Sequence, residues 1–105
     1  MTDSNPEKYL LLAGVCIHSP DIREIRTAII NGLKSEDERV LGECIRGLAH
    51  LAWRFKNVET RLLSLVHLRA LEMRHSPHIQ ELWAELADPE GDIGTFVPLL
   101  KVPPL

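Results

Sequence analysis

Sheets draw heavily on aromatic side chains, and these are thin here. Aromatics make up 5% of the 105 residues, while leucine alone supplies 17 positions, against eight isoleucines and six valines. That balance favours helices. A basic excess is also missing: 12 Lys/Arg face 15 Asp/Glu, a net charge of −3, which argues against a generic nucleic-acid binder. No apolar run approaches the ~18 residues of a membrane span. The opening Met1-Thr2-Asp3-Ser4-Asn5-Pro6 lacks the basic-then-apolar order of a secretion signal. Cysteine is confined to Cys16 and Cys44, too few for a disulfide framework. These absences lead to the expectation of one small cytoplasmic all-α domain over residues 1–105, with residues 1–5 and 101–105 as extended ends.

What is present is helical periodicity. Ile22, Ile25, Ile29 and Leu33 form one stripe over residues 21–34, with Ser19 as cap and Pro20 in the first turn. Ser35-Glu36-Asp37-Glu38 reads as a capping box opening a helix over about 36–55. Its apolar arc runs from Val40 and Leu41 through Cys44, Ile45, Leu48, Leu51 and Ala52 to Phe55, opposite Arg39, Glu43, Arg46, His50 and Arg54. Residues 60–73 are apolar almost all round, so Leu62, Leu65, Val66 and Leu68 are expected at the centre of the core. Ser76-Pro77 starts a helix striped by Ile79, Leu82, Trp83 and Leu86, and residues 6–17 form another helix at the start of the chain. After Asp88-Pro89-Glu90-Gly91, a short helix or turn with Ile93, Phe96, Val97, Leu99 and Leu100 packs back. Five to six antiparallel helices of this length suggest stacked pairs, each burying its apolar face on the next.

Charge is placed unevenly. Residues 1–74 carry a net +1, whereas residues 75–105 carry Lys101 against Glu81, Glu85, Asp88, Glu90 and Asp92, a net −4. Such a local field favours a basic partner. Trp53 falls outside the apolar arc of its helix, beside Arg46 and His50. It is either packed against an adjoining helix, the expected arrangement, or an exposed binding anchor. Trp83 is expected in the core, and His50 and His67 are expected in hydrogen-bonded structural roles.

The strings Leu33-Lys34-Ser35-Glu36-Asp37-Glu38-Arg39-Val40 and Ile45-Arg46-Gly47-Leu48-Ala49-His50-Leu51-Ala52 resemble the middle of small bacterial HEAT-repeat-like proteins. In that group a short acidic turn precedes a helix with Leu-Gly-His-Leu-Ala, and an Asp-Ile-x-x-Phe element closes the domain. Asp92-Ile93-Gly94-Thr95-Phe96 fits the closing element, while Ala49 stands where the group often has glycine. Such proteins often accompany polymorphic toxins, including those of contact-dependent growth inhibition systems. The resemblance, which spans about Tyr9 to Phe96, therefore implies HEAT-like helical pairs and an immunity protein that occludes one cognate toxin.

Catalytic readings are weaker. Cys16-x-His18 and His75-x-x-His78 are the close potential metal pairs, but the helix start at Ser76-Pro77 separates the two histidines of the second. Cys44 lies in an apolar arc and Cys16 near a helix end with no turn to frame a nucleophile. Gly91-Asp92-Ile93-Gly94 lacks the lysine and strand of a phosphate loop. The expectation is a binding protein with no metal, cofactor or catalytic residue, whose contacts fall on Glu81, Glu85, Asp88, Glu90, Asp92 and Trp53. For a nuclease target with a basic groove, the carboxylates would stand in for phosphates. The alternative is a cytosolic helical adaptor or regulatory module that meets its partner through an apolar groove.

Overall fold

The computed structural model describes residues 6–88 and 90–94, with side chains from Leu10 onward. Five helices account for most of them: α1 (Pro6–His18), α2 (Ile22–Gly32), α3 (Glu38–Phe55), α4 (Thr60–Glu72) and α5 (Pro77–Ala87). No strand occurs among the described residues, so the fold is all-α.

Helix direction is fixed by side chains that reach across the stack. Arg54, in the last turn of α3, donates to Cys16 O at 2.7 Å and Ser19 O at 2.6 Å, at the end of α1. Arg69, near the end of α4, donates to Leu33 O at 3.0 Å and Ser35 O at 2.9 Å, just past α2. At the opposite end of the stack, the Ser76 hydroxyl at the start of α5 donates to the Glu38 carboxylate at the start of α3. Each of these links pairs like ends, so α1, α3 and α5 run in one direction and α2 and α4 in the other. The helices α1, α3 and α5 lie side by side, with α2 and α4 across them. This two-layer stack of antiparallel neighbours is consistent with HEAT-like pairs. The arginines also satisfy helix C-terminal carbonyls, which have no intrahelical partner and carry the negative end of the dipole.

The two turns that start α2 and α3 share one pattern, Ser-x-Asp-x-Arg, at residues 19–23 and 35–39. In each, the serine hydroxyl accepts the aspartate N–H (3.1 Å for Ser19–Asp21, 3.0 Å for Ser35–Asp37). The aspartate carboxylate in turn accepts the arginine N–H, at 2.9 Å for Arg23 and 2.8 Å for Arg39. The caps are thus Asp21 and Asp37, two residues beyond the serines expected to cap, and α3 starts at Glu38. The capping box expected over Ser35–Glu38 does not form, because Glu38 turns to Ser76. At α5 the expected cap is present, with Ser76 Oγ accepting from Ile79 N at 3.3 Å.

The core is centred on α3, not α4. Val40, Leu41, Cys44, Ile45, Leu48, Leu51 and Ala52 are buried there, against Ile25 and Ile29 of α2 and Leu62, Leu63 and Val66 of α4. Gly47 permits this closeness: a Cβ on it would lie 2.8 Å from Ile29 Cδ1 and 3.0 Å from Cys16 Sγ. Glu43, contrary to its expected place on the polar side of α3, is 5% exposed; it pairs with Arg46 at 2.8 Å. On α4, Leu65 and Leu68 are 38% and 47% exposed, contrary to the expectation of a central position. The helix has neighbours on one side only, so the Leu62, Leu63, Val66, Ala70 stripe buries and the opposite leucines face out. The expected last helix at Phe96–Leu100 and the extended ends 1–5 and 101–105 lie outside the described residues. No helix among the described residues is long and apolar enough to cross a membrane.

Candidate functional site

The acidic rim is built on the end of α5. Asp88 closes the helix, its N–H donating to Ala84 O at 3.1 Å. Its carboxylate accepts Glu90 N–H at 2.9 Å. Gly91 N then donates to Asp88 O at 2.6 Å and Ile93 N to Leu86 O at 3.0 Å, which folds the chain back over the helix end. Gly91 has no alternative here, because a Cβ would sit 2.5 Å from both Glu85 O and Leu86 O. Ile93 is fully buried and anchors the turn.

The buried anchor leaves the charged side chains outside. Glu85, Asp88, Glu90 and Asp92, with Leu86 and Gly91, surround one open concavity of about 340 Å³. All four are exposed, as is Glu81 one turn earlier on α5. Among the described residues none of the five carboxylates forms an ion pair. The structure therefore brings four of the expected residues together, with Glu81 beside them outside the concavity.

Trp53 is not part of this rim. It is 72% exposed near the end of α3, which corrects the expectation that it packs between helices. The buried arc of α3 takes Leu48, Leu51 and Ala52, and α1 and α5 leave its outer side open. Trp83 is partly buried against the core as expected, and its ring lies 4.8 Å from that of His67 at 49°. His67 departs from its expected hydrogen-bonded role: its buried Nδ1 has no partner among the described residues. Burial pushes its pKa below the ordinary histidine value of 6.5.

The thiols are sealed. Cys16, near the end of α1, is as fully buried as Cys44. Burial raises Cys16 to about 11, with Glu43 adding to it, and raises Cys44 to about 12. Cys44 Sγ donates to Ile29 O at 3.4 Å. His75 and His78 are both exposed, and among the described residues no three His, Cys, Asp or Glu side chains converge on a metal-sized site.

One surface has no counterpart in the sequence-based expectations. Leu10, Leu11 and Ile17 of α1 are 61%, 69% and 45% exposed. They adjoin a groove of about 240 Å³ between α1 and α2, lined chiefly by Leu11, Leu12, Val15, Ala28 and Val40. The Leu10-Leu11-Leu12 run is its one signal, but a helix apolar on every side gives no indication of which side its neighbours leave open. Comparison with protein-family models, curated proteins and solved structures finds no match to this chain.

Proposed function

We propose that this chain is a cytoplasmic immunity protein that neutralises a cognate bacterial toxin by covering its active or substrate-binding surface, acting by binding, without catalysis or a cofactor. The observation that carries the reading is the arc of four carboxylates around one open concavity, with no ion-pair partner among the described residues. A basic groove shaped for phosphates, as in a nuclease, meets such an arc with charge-assisted hydrogen bonds. Long-range attraction would speed the encounter. The acids sit on the end of α5 and on a turn pinned by Ile93 and Gly91, so little ordering cost falls on binding. Trp53 supplies an exposed aromatic anchor at a second place on the surface.

Co-expression with the product of the gene beside this chain's own, which the reading requires to be a toxin, tests it. The wild-type chain is expected to restore growth. The variant carrying Glu81→Gln, Glu85→Gln, Asp88→Asn, Glu90→Gln and Asp92→Asn is expected to fold but fail to protect. Its fold survives because the amide oxygen introduced by Asp88→Asn still accepts the backbone N–H of residue 90. Full protection by that variant would remove the acidic rim from the interface. The adaptor reading is favoured by a different observation, the apolar groove beside α1. It predicts that changes in the rim leave partner binding intact while a charge placed in the groove abolishes it.

A further inference from the structure

We infer that the outward face of α1, centred on Gly14, is the interface of a two-fold dimer of this chain. Three observations lead there.

The first is an asymmetry between the ends of the stack. Terminal units of a stacked helical array need a polar outer face to stay soluble. α5 meets that need: it exposes Pro77, His78, Glu81, Ala84 and Glu85 and no large apolar side chain. α1, on the other flank of α3, exposes Leu10, Leu11 and Ile17 instead. An array closed by charge at one end and apolar at the other continues through the apolar end. The acidic α5 end cannot receive that face, so a head-to-tail chain of copies does not form. A second copy therefore meets the first α1 to α1, an isologous contact that closes at two.

The second is Gly14. The neighbouring side chain or backbone leaves no free room for a Cβ at Gly32, Gly42, Gly47 or Gly91, each having an atom within 3.2 Å of the position it would take. At Gly14 no side chain or neighbouring element among the described residues lies within 4 Å of that position. Glycine inside a helix lowers its stability relative to alanine, and no contact among the described residues offsets that at Gly14. A helix approaching from outside gives the missing Cβ a purpose, because two backbones can cross closely there. An antiparallel crossing at Gly14 sets Leu10 and Leu11 of one copy against Ile17 of the second, with the α1–α2 groove open to receive a leucine.

The third is charge. Leu10, Leu11, Gly14 and Ile17 carry none. The rim of the adjoining concavity, about 420 Å³, holds His18 and Glu24 rather than a row of one sign. A symmetric contact places each residue near its own copy, so this composition avoids the like-charge repulsion that the α5 end would meet.

Sedimentation velocity of the full chain from about 5 to about 500 µM tests the interface, a range suited to a contact smaller than the usual ~800 Å² per partner. The wild-type chain is expected to pass from monomer to dimer across it. Leu11→Glu and Gly14→Leu are each expected to weaken the dimer at least ~10-fold. Gly14→Leu should also raise the thermal midpoint of the dilute monomer, since leucine is the better helix former. That opposition of signs separates a crossing point from a merely structural glycine. A wild-type chain that sediments as a monomer throughout would assign the face to another partner or to the chain's own ends and overturn the dimer. Unchanged dimerisation of both variants would overturn it equally.

Discussion

Replacing Arg69 by methionine isolates what holds the two layers in register. The side chain is 18% exposed, and its stem lies among Leu33, Leu41, Ile45 and Val66. Methionine keeps most of that apolar stem and deletes the guanidinium fork. Lost with the fork are the hydrogen bonds to Leu33 O and Ser35 O, at 3.0 and 2.9 Å. Hydrogen bonds from a charged donor contribute ~1.5–3 kcal/mol each, and the two are not independent, so a loss of about 2–4 kcal/mol is expected. The ion pairs to Glu36 and Glu72, whose side chains are 81% and 66% exposed, add little. Against a total of ~5–15 kcal/mol for a domain of this size the loss is large, and it lowers the melting midpoint by roughly 10–25 °C. Urea titrations followed by circular dichroism measure it, with the exposed Arg61→Met as control. Arg69→Lys keeps the charge but not the fork and is expected to fall between parent and methionine variant. A change below about 0.5 kcal/mol for Arg69→Met would refute the idea that this arginine caps α2 from α4.

Leu63→Ala, at a fully buried position, is expected to cost about 2–5 kcal/mol, whereas Leu65→Ala and Leu68→Ala cost less than about 1 kcal/mol each; paired thermal melts compare them. Trp53→Ala is expected to change stability by no more than about 0.5 kcal/mol, because the ring is 72% exposed, and, on the proposed function, to weaken binding of the cognate toxin in a calorimetric titration. A cost near that of Leu63→Ala would return Trp53 to the core. Since the fold favours neutral His67, the stability linked to it is present above the ordinary histidine pKa of 6.5 and lost as pH falls through that value toward the lowered folded one. Denaturation midpoints at pH 7.5 and 5 are expected to diverge less in His67→Phe than in the parent.

Helix number, type and approximate limits are legible because leucine and isoleucine recur at helical spacing and Ser or Pro marks most starts. The caps lie two residues later for a physical reason: Ser19 and Ser35 are acceptors as expected, but each serves the aspartate that does the capping. The peripheral place of α4 has another cause. A helix apolar all round reads as central, yet burial depends on how many neighbours surround it, and that number is set by stacking order. The same holds at α1, whose open face no pattern within one helix could reveal. Trp53 is ambiguous because helical spacing excludes it from the arc without saying whether a second helix covers it. The acidic rim is readable in composition. Its gathering around one concavity depends on the tight turn at Gly91, where two carbonyls leave no space for a side chain.

The most direct measurement is the association rate of the wild-type chain with the basic toxin that the proposed function requires, followed by stopped-flow Trp fluorescence from about 50 to about 500 mM salt. Steered encounters slow steeply as the Debye length shrinks from ~14 Å to ~4 Å across this range. The account predicts such a fall, and a slower, nearly salt-independent rate for the variant with all five rim acids neutralised. A wild-type rate indifferent to salt, or a neutralised variant that associates as fast as its parent, would contradict it.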